Sequence, residues 1–190
     1  MGSAGRRENM QPFFIAAVGS FFGALGGFLA NMVLAGRINR RDTTSRMISE
    51  FLSDSFLVHR ISMDDTWQRM KAGDISADDV AGGFWYPGTP TYYTGEIYGD
   101  LNAHQHLEAY IGYIVRLADA LDHRRLNRGE TRAALGMHLL WADALLQQTA
   151  RTAARQAEVH NVPIPSWTKA AGRVHDLLTV SGATVHRGRP

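Results

Sequence analysis

Charged positions are missing from one long stretch of this chain and recur every few residues elsewhere. Between Asn9 and Gly36 there is no Asp, Glu, Lys, Arg or His. The run Pro12–Gly36 reads PFFIAAVGSFFGALGGFLANMVLAG. As a helix, at about 1.5 Å per residue, it is roughly 37 Å long. A bilayer core needs about 20 apolar residues. The pattern therefore predicts a transmembrane helix over 12–36, after a short tail over 1–11. Val33-Leu34-Ala35 resembles a signal-peptide cleavage site, with Arg6 and Arg7 as its charged leader. The apolar run is longer than the usual leader core of about 7–15 residues, however. Arg37, Arg40, Arg41 and Arg46 also follow at once, so a retained anchor is favoured. Two basic residues precede the span and four follow it. That bias places the C-terminal part in the cytoplasm, at the inner (plasma) membrane.

The glycines of this segment keep a period. Gly19, Gly23 and Gly27 recur every four residues, and Asn31 continues the line. Steps of four stay close to one helical face, so the segment carries a ridge with almost no side chains. Such ridges let two helices approach closely in lipid. Asn31 is costly against lipid and suits a hydrogen bond across a helix pair. The expected partners are thus the membrane and a second helix, from another copy or another membrane protein.

Residues 37–181 show the spacing of an all-α domain, a small soluble bundle. Thr43–Arg60 carries Met47, Ile48, Phe51, Val58 and Ile61 at helical steps and reads as one helix. Ser62-x-x-Asp65 reads as the cap of the next, which runs through Trp67 and Met70 to Gly73. Ser76-x-x-Asp79 predicts a short helix stopped at Gly82-Gly83. Two long helices are expected to form an antiparallel hairpin over 101–158. Asn102-x-x-Gln105 starts the first, with the stripe His104, Leu107, Ile111, Ile114, Ala118 and Leu121. Asn127-x-x-Glu130 starts the second, with Leu135, Leu139, Ala142, Leu146, Thr149 and Ala153. Asn161, Pro163 and Pro165 end it. Ser166 opens a last helix through Trp167, Val174 and Leu178, and 182–190 reads as a flexible tail.

Phe84–Gly99 breaks the helical pattern with two prolines and three glycines, and holds six aromatics in 16 residues. A loop so rich in rings either covers the helical core or offers a partner surface at Trp85, Tyr86, Tyr92 and Tyr93.

Composition narrows the chemistry. The 190 residues are 45% hydrophobic and 20% charged, which suits one folded domain. Having no cysteine, the chain has no thiol nucleophile and no thiolate metal site. His104-x-His106-x-Glu108 is the most metal-like string. On a helix His104 and Glu108 are neighbours, while His106 lies about 200° round. Two ligands fall short of the three a catalytic zinc site usually takes. Phosphate loops, dinucleotide fingerprints and nucleophile elbows are absent. Asp64, Asp65, Asp78 and Asp79 read as first-turn acids that favour helix N-termini. Arg124, Arg125, Arg128 and Arg132 cluster at the predicted hairpin turn, as a solvated turn or a lipid-facing patch. No cofactor and no nucleic acid is expected.

The layout also resembles a bacterial family of single-pass, membrane-anchored helical proteins catalogued only as a domain of unknown function. The matching pieces are Trp67, the run Asp100–Glu108 (DLNAHQHLE), the turn Leu121-Asp122 and Trp141 in Leu-Leu-Trp-Ala-Asp. The resemblance implies fold and location, and no activity. Taken together, the chain reads as an anchored interaction or scaffold protein. Its rivals are a tethered metal enzyme using His104 and Glu108, and an oligomeric membrane-permeabilising effector.

Overall fold

The computed structural model describes residues 10–82 and 101–179, with side chains from Leu25 onward. Every element in these residues is an α-helix. In order they are α1 (Met10–Leu52), α2 (Asp54–Ala72), α3 (Ala77–Gly82), α4 (Ala103–Asp122), α5 (Arg128–Val159) and α6 (Ser166–Thr179). The expected all-α class is what the structure contains. The boundary between two compact units falls inside α1, at Asp42–Thr43.

The described part of the first unit is a single helical stretch with its apolar side chains uncovered. Leu25, Phe28, Leu29, Met32, Val33, Leu34 and Ile38 are all exposed. Among the described residues, no helix is long and apolar enough to cross a membrane. Half of the predicted span, 12–24, lies outside the described side chains, and so do Gly19 and Gly23. The tail 182–190 and the loop 84–99, with Trp85, Tyr86, Tyr92 and Tyr93, also lie outside the described residues.

The second unit begins with the last turns of α1. Thr44, Met47 and Phe51 are buried there. The Thr44 hydroxyl accepts a 2.9 Å hydrogen bond from the Asn127 amide, tying this turn to the start of α5. Tyr113 of α4 donates its hydroxyl to the Met47 carbonyl at 3.1 Å. Glu50 and Arg116 form an ion pair at the surface.

Two predicted boundaries are wrong. Thr43–Arg60 is not a single helix, because the chain breaks at Ser53. Ser53 adopts an extended backbone and its hydroxyl accepts from the Phe56 amide at 3.3 Å, while Asp54 supplies an acid to the first turn. This is ordinary N-capping. Ser62-x-x-Asp65 caps nothing. Both lie inside α2, where Ser62 is buried. The first-turn reading therefore holds for Asp78 and Asp79 of α3 but not for Asp64 and Asp65. Because the break resets the helical phase, Val58 and Ile61 leave the predicted core stripe and stand exposed.

Aromatic packing explains why the break falls where it does. The Phe51 ring lies 5.2 Å from Phe56, 5.1 Å from Tyr113 and 6.0 Å from Tyr110. Phe56 in turn lies 5.1 Å from Tyr113 and 5.8 Å from Tyr110. Both phenylalanines must face α4, and they are five residues apart. An unbroken helix would carry residues at that spacing about 140° apart around its axis, so one would point away.

The remaining caps follow the spacing. Asn102 and Gln105 form a reciprocal capping box at the start of α4. Asn127 accepts from the Glu130 amide at the start of α5. Ser76 and Asp79 exchange hydrogen bonds at the start of α3. All six positions of each predicted stripe on α4 and α5 are buried. The hairpin itself needs a correction, since the tightest packing of α4 and of α5 is against α6. Gln147 donates to the Ala171 carbonyl at 3.1 Å and Arg132 to the Leu178 carbonyl at 2.8 Å, which sets α6 antiparallel to α5.

Three helices end in the same way. Gly73, Arg124 and Asn161 each take a positive φ, of 82°, 53° and 52°. After each, the next amide bonds back across the turn: Asp74 to Arg69, Arg125 to Ala120 and Val162 to Ala157. These are Schellman closures of α2, α4 and α5.

Two substitutions test this account. Phe51→Ala should lower the unfolding free energy by about 3–5 kcal/mol, the usual range for a large buried aromatic. Ser53→Ala should cost about 1 kcal/mol, the loss of one cap. Urea titration followed by tryptophan fluorescence measures both, and equal costs would discount the aromatic cluster as the organising contact.

Candidate functional site

A groove of about 460 Å³ opens between α2 and α5, with α4 as its floor. Its walls come from helical repeats. Leu57 and Ile61 sit one turn apart on α2, and Met137 and Trp141 one turn apart on α5. All four are exposed, Met137 by 71% and Trp141 by 67%. On α5 they flank the buried stripe through Leu135, Leu139 and Ala142, so that helix has more apolar surface than the bundle covers. Leu140, also exposed, extends the same surface.

The polar groups of the groove are few. Tyr110 lines the floor and is only 1% exposed. Its hydroxyl is buried, with no hydrogen-bond partner among the described residues. Burial holds its pKa well above the usual phenol value, so at neutral pH it is an O–H donor. Arg60 lies on the α2 wall with its guanidinium 5.3 Å from the Phe51 ring centroid, a cation–π contact. Its Nε is buried and unpartnered. Asp64, exposed at the lip, accepts a 3.4 Å hydrogen bond from Gln68. His138, also exposed, stands 6.1 Å from Phe51. On α5, next to the lining residue Ala142, the Asp143 carboxylate accepts from His175 Nδ1 at 2.8 Å and from Gln147 at 3.3 Å.

His104 and Glu108, the weak metal candidates of the sequence, come together only as a pair. His104 Nε2 lies 3.4 Å from Glu108, whose side chain is 56% exposed. Among the described residues, no group of three His, Cys, Asp or Glu could hold an ion. His106 points elsewhere, as its helical offset requires. It is buried, and its Nδ1 lies 2.8 Å from Nδ1 of His59 on α2. One of these nitrogens donates and the other accepts, so the contact excludes two Nδ1–H groups face to face. Of the glycine ridge, Gly27 and Asn31 are described. A Cβ at Gly27 would meet nothing within 4 Å, and Asn31 is exposed.

The arginine cluster at the α4–α5 turn is partly engaged. Arg125 lies 3.9 Å from Asp119, and Arg132 donates to the end of α6. Arg173 pairs with Asp122 at 3.3 Å, close by.

Neither the groove nor the histidine pair follows from spacing alone. The available signal was the surplus of apolar residues on α5, where Met137, Leu140 and Trp141 add a second face beside the predicted stripe. No protein-family model, curated protein or solved structure matches this chain.

The histidine pair sets a pH dependence. Burial first, and the His106 ring second, lower the pKa of His59 below its ordinary 6.5. The unfolded chain therefore takes up the proton first. Stability is full above about pH 6.5 and falls as pH drops from there toward the folded value. Asp79 acts at lower pH, because hydrogen bonds from Ser76 hold its pKa below 3.8 and its contribution is lost as pH falls through the folded value. Thermal melts should thus show Tm falling between pH 7 and pH 5.5, with a flatter profile in His59→Gln. An unchanged slope in that variant would remove His59 as the source.

Proposed function

We propose that this chain is a membrane-anchored interaction protein. Residues 12–36 cross the inner (plasma) membrane, and the helical bundle presents a surface to a partner in the cytoplasm. The supporting observation is the ring of uncovered side chains on α1. Phe28, Leu29, Met32, Val33 and Leu34 are all exposed, within seven residues and on more than one side of the helix. A helix that is apolar all round needs a bilayer or other helices around it. Arg37, Arg40, Arg41 and Arg46 follow at lipid-headgroup spacing and are exposed as well. In this reading the ridge Gly19, Gly23, Gly27 and Asn31 packs against another helix, from a second copy or a different membrane protein.

Because the chain has no cysteine, a single introduced thiol reports topology cleanly. In intact cells, Ser3→Cys should react with a membrane-impermeant maleimide, and Ser181→Cys should react only after lysis. Full-length protein should also resist extraction by alkaline carbonate. Release into the supernatant would end the anchor reading, and labelling of Ser181→Cys in intact cells would reverse the orientation.

The ridge has its own test. A Cβ at position 27 meets nothing within 4 Å among the described residues, so loss of association in Gly27→Leu reports a neighbour and not a misfolded helix. Gly23→Leu and Gly27→Leu should each cut the cross-linked oligomer or hetero-complex severalfold, while Leu29→Ile should not. Complexes unchanged in both glycine variants would rule out packing through the ridge.

A further inference from the structure

We propose that the groove between α2 and α5 binds a single-chain amphiphile with a monoanionic carboxylate head, a fatty-acid-like molecule. The site goes beyond the anchored-interaction reading and uses none of the ridge residues.

The volume of about 460 Å³ falls in the range of small-molecule sites. Leu57, Ile61, Met137 and Trp141 give it apolar walls open at one side, which suits an alkyl chain. The floor supplies a different chemistry. Tyr110 is fully buried and its hydroxyl has no partner among the described residues. Arg60 makes no ion pair among those residues, and its Nε is also buried without a partner. Orphaned buried donors are costly and rare in folded proteins. Two of them line one apolar groove.

A carboxylate answers both, with one oxygen for the phenol O–H and one for the guanidinium. An alcohol or ester head would leave the Arg60 charge unmatched. Asp64 at the lip and Asp143, whose charge acts on Tyr110, oppose any anion, and they oppose a dianionic phosphate twice as strongly as a monoanionic carboxylate. The Tyr110 hydroxyl is sealed from solvent, so a head group reaches it only as the groove side chains part, and a slender head needs a smaller opening than a partner helix would.

Methionine methyls provide a local readout, since Met63 and Met137 line the groove while Met47 and Met70 do not. The full chain, carrying 13C-methyl methionine, is placed in lipid nanodiscs and titrated with decanoate and, separately, with 1-decanol. Decanoate should give saturable shifts at Met63 and Met137 and leave Met47 and Met70 in place. Arg60→Leu should weaken decanoate by about tenfold, the worth of one charged hydrogen bond, and leave decanol unchanged. Uptake into the nanodisc is common to wild type and variant, so it cancels. The isosteric Tyr110→Phe should weaken decanoate severalfold.

No saturable shift at Met63 and Met137 would overturn the proposal. So would a decanoate affinity untouched by both Arg60→Leu and Tyr110→Phe, or decanol weakened by Arg60→Leu as much as decanoate. These readouts are independent of carbonate extraction and thiol labelling, so the groove and the anchor stand or fall separately.

Discussion

Phe51 is the contact on which the bundle turns. It ends α1 with a fully buried ring, packed by Phe56, Tyr110 and Tyr113 and covered by the Arg60 guanidinium. Burying Phe51 and Phe56 on the same α4 surface requires a break between them, and Ser53 supplies it. The break sets the phase of α2. That phase sends Met63 inward and Leu57 and Ile61 outward, which creates one wall of the groove. It also brings His59 to His106 and Arg60 to the edge of the floor. One aromatic constraint thus decides both the core and the polar equipment of the site.

What could be read from sequence was local. Asn102-x-x-Gln105 and Asn127-x-x-Glu130 mark real starts, because a cap and its acceptor lie within one turn. The stripes on α4 and α5 are buried as their period implies, because each long helix carries the whole pattern itself. Ser53 and Ser62 show the limit. Both are serines with an acid soon after, and Ser62-x-x-Asp65 fits the capping-box formula better. The competition is settled by rings on α4, some 50 residues away in sequence. The same holds for the groove, whose walls and floor come from three helices. His59 and His106 lie 47 residues apart, and neither flags the other.

The two uncovered apolar surfaces differ in kind. That of α1 carries no charge across its exposed apolar run, so it discriminates little among hydrophobic surroundings. The groove joins apolar walls to two unanswered donors, and donors impose direction and identity on whatever enters. Affinity for a membrane needs only the first kind of surface. Selectivity among amphiphiles needs the second.

The helix ends at Gly73, Arg124 and Asn161 share one backbone shape but differ in how firmly the residue itself asks for it. Glycine adopts the left-handed turn freely, whereas an L side chain such as arginine is strained there by about 1–2 kcal/mol. At Arg124 the turn is held by its surroundings, including the buried Leu126 just beyond it. The stop of α2 is therefore written in its own residues, and the stop of α4 is on loan from the assembled core. Cut from the protein, a peptide covering α2 would keep its boundary, while one covering α4 would lose the reason to end at Asp122.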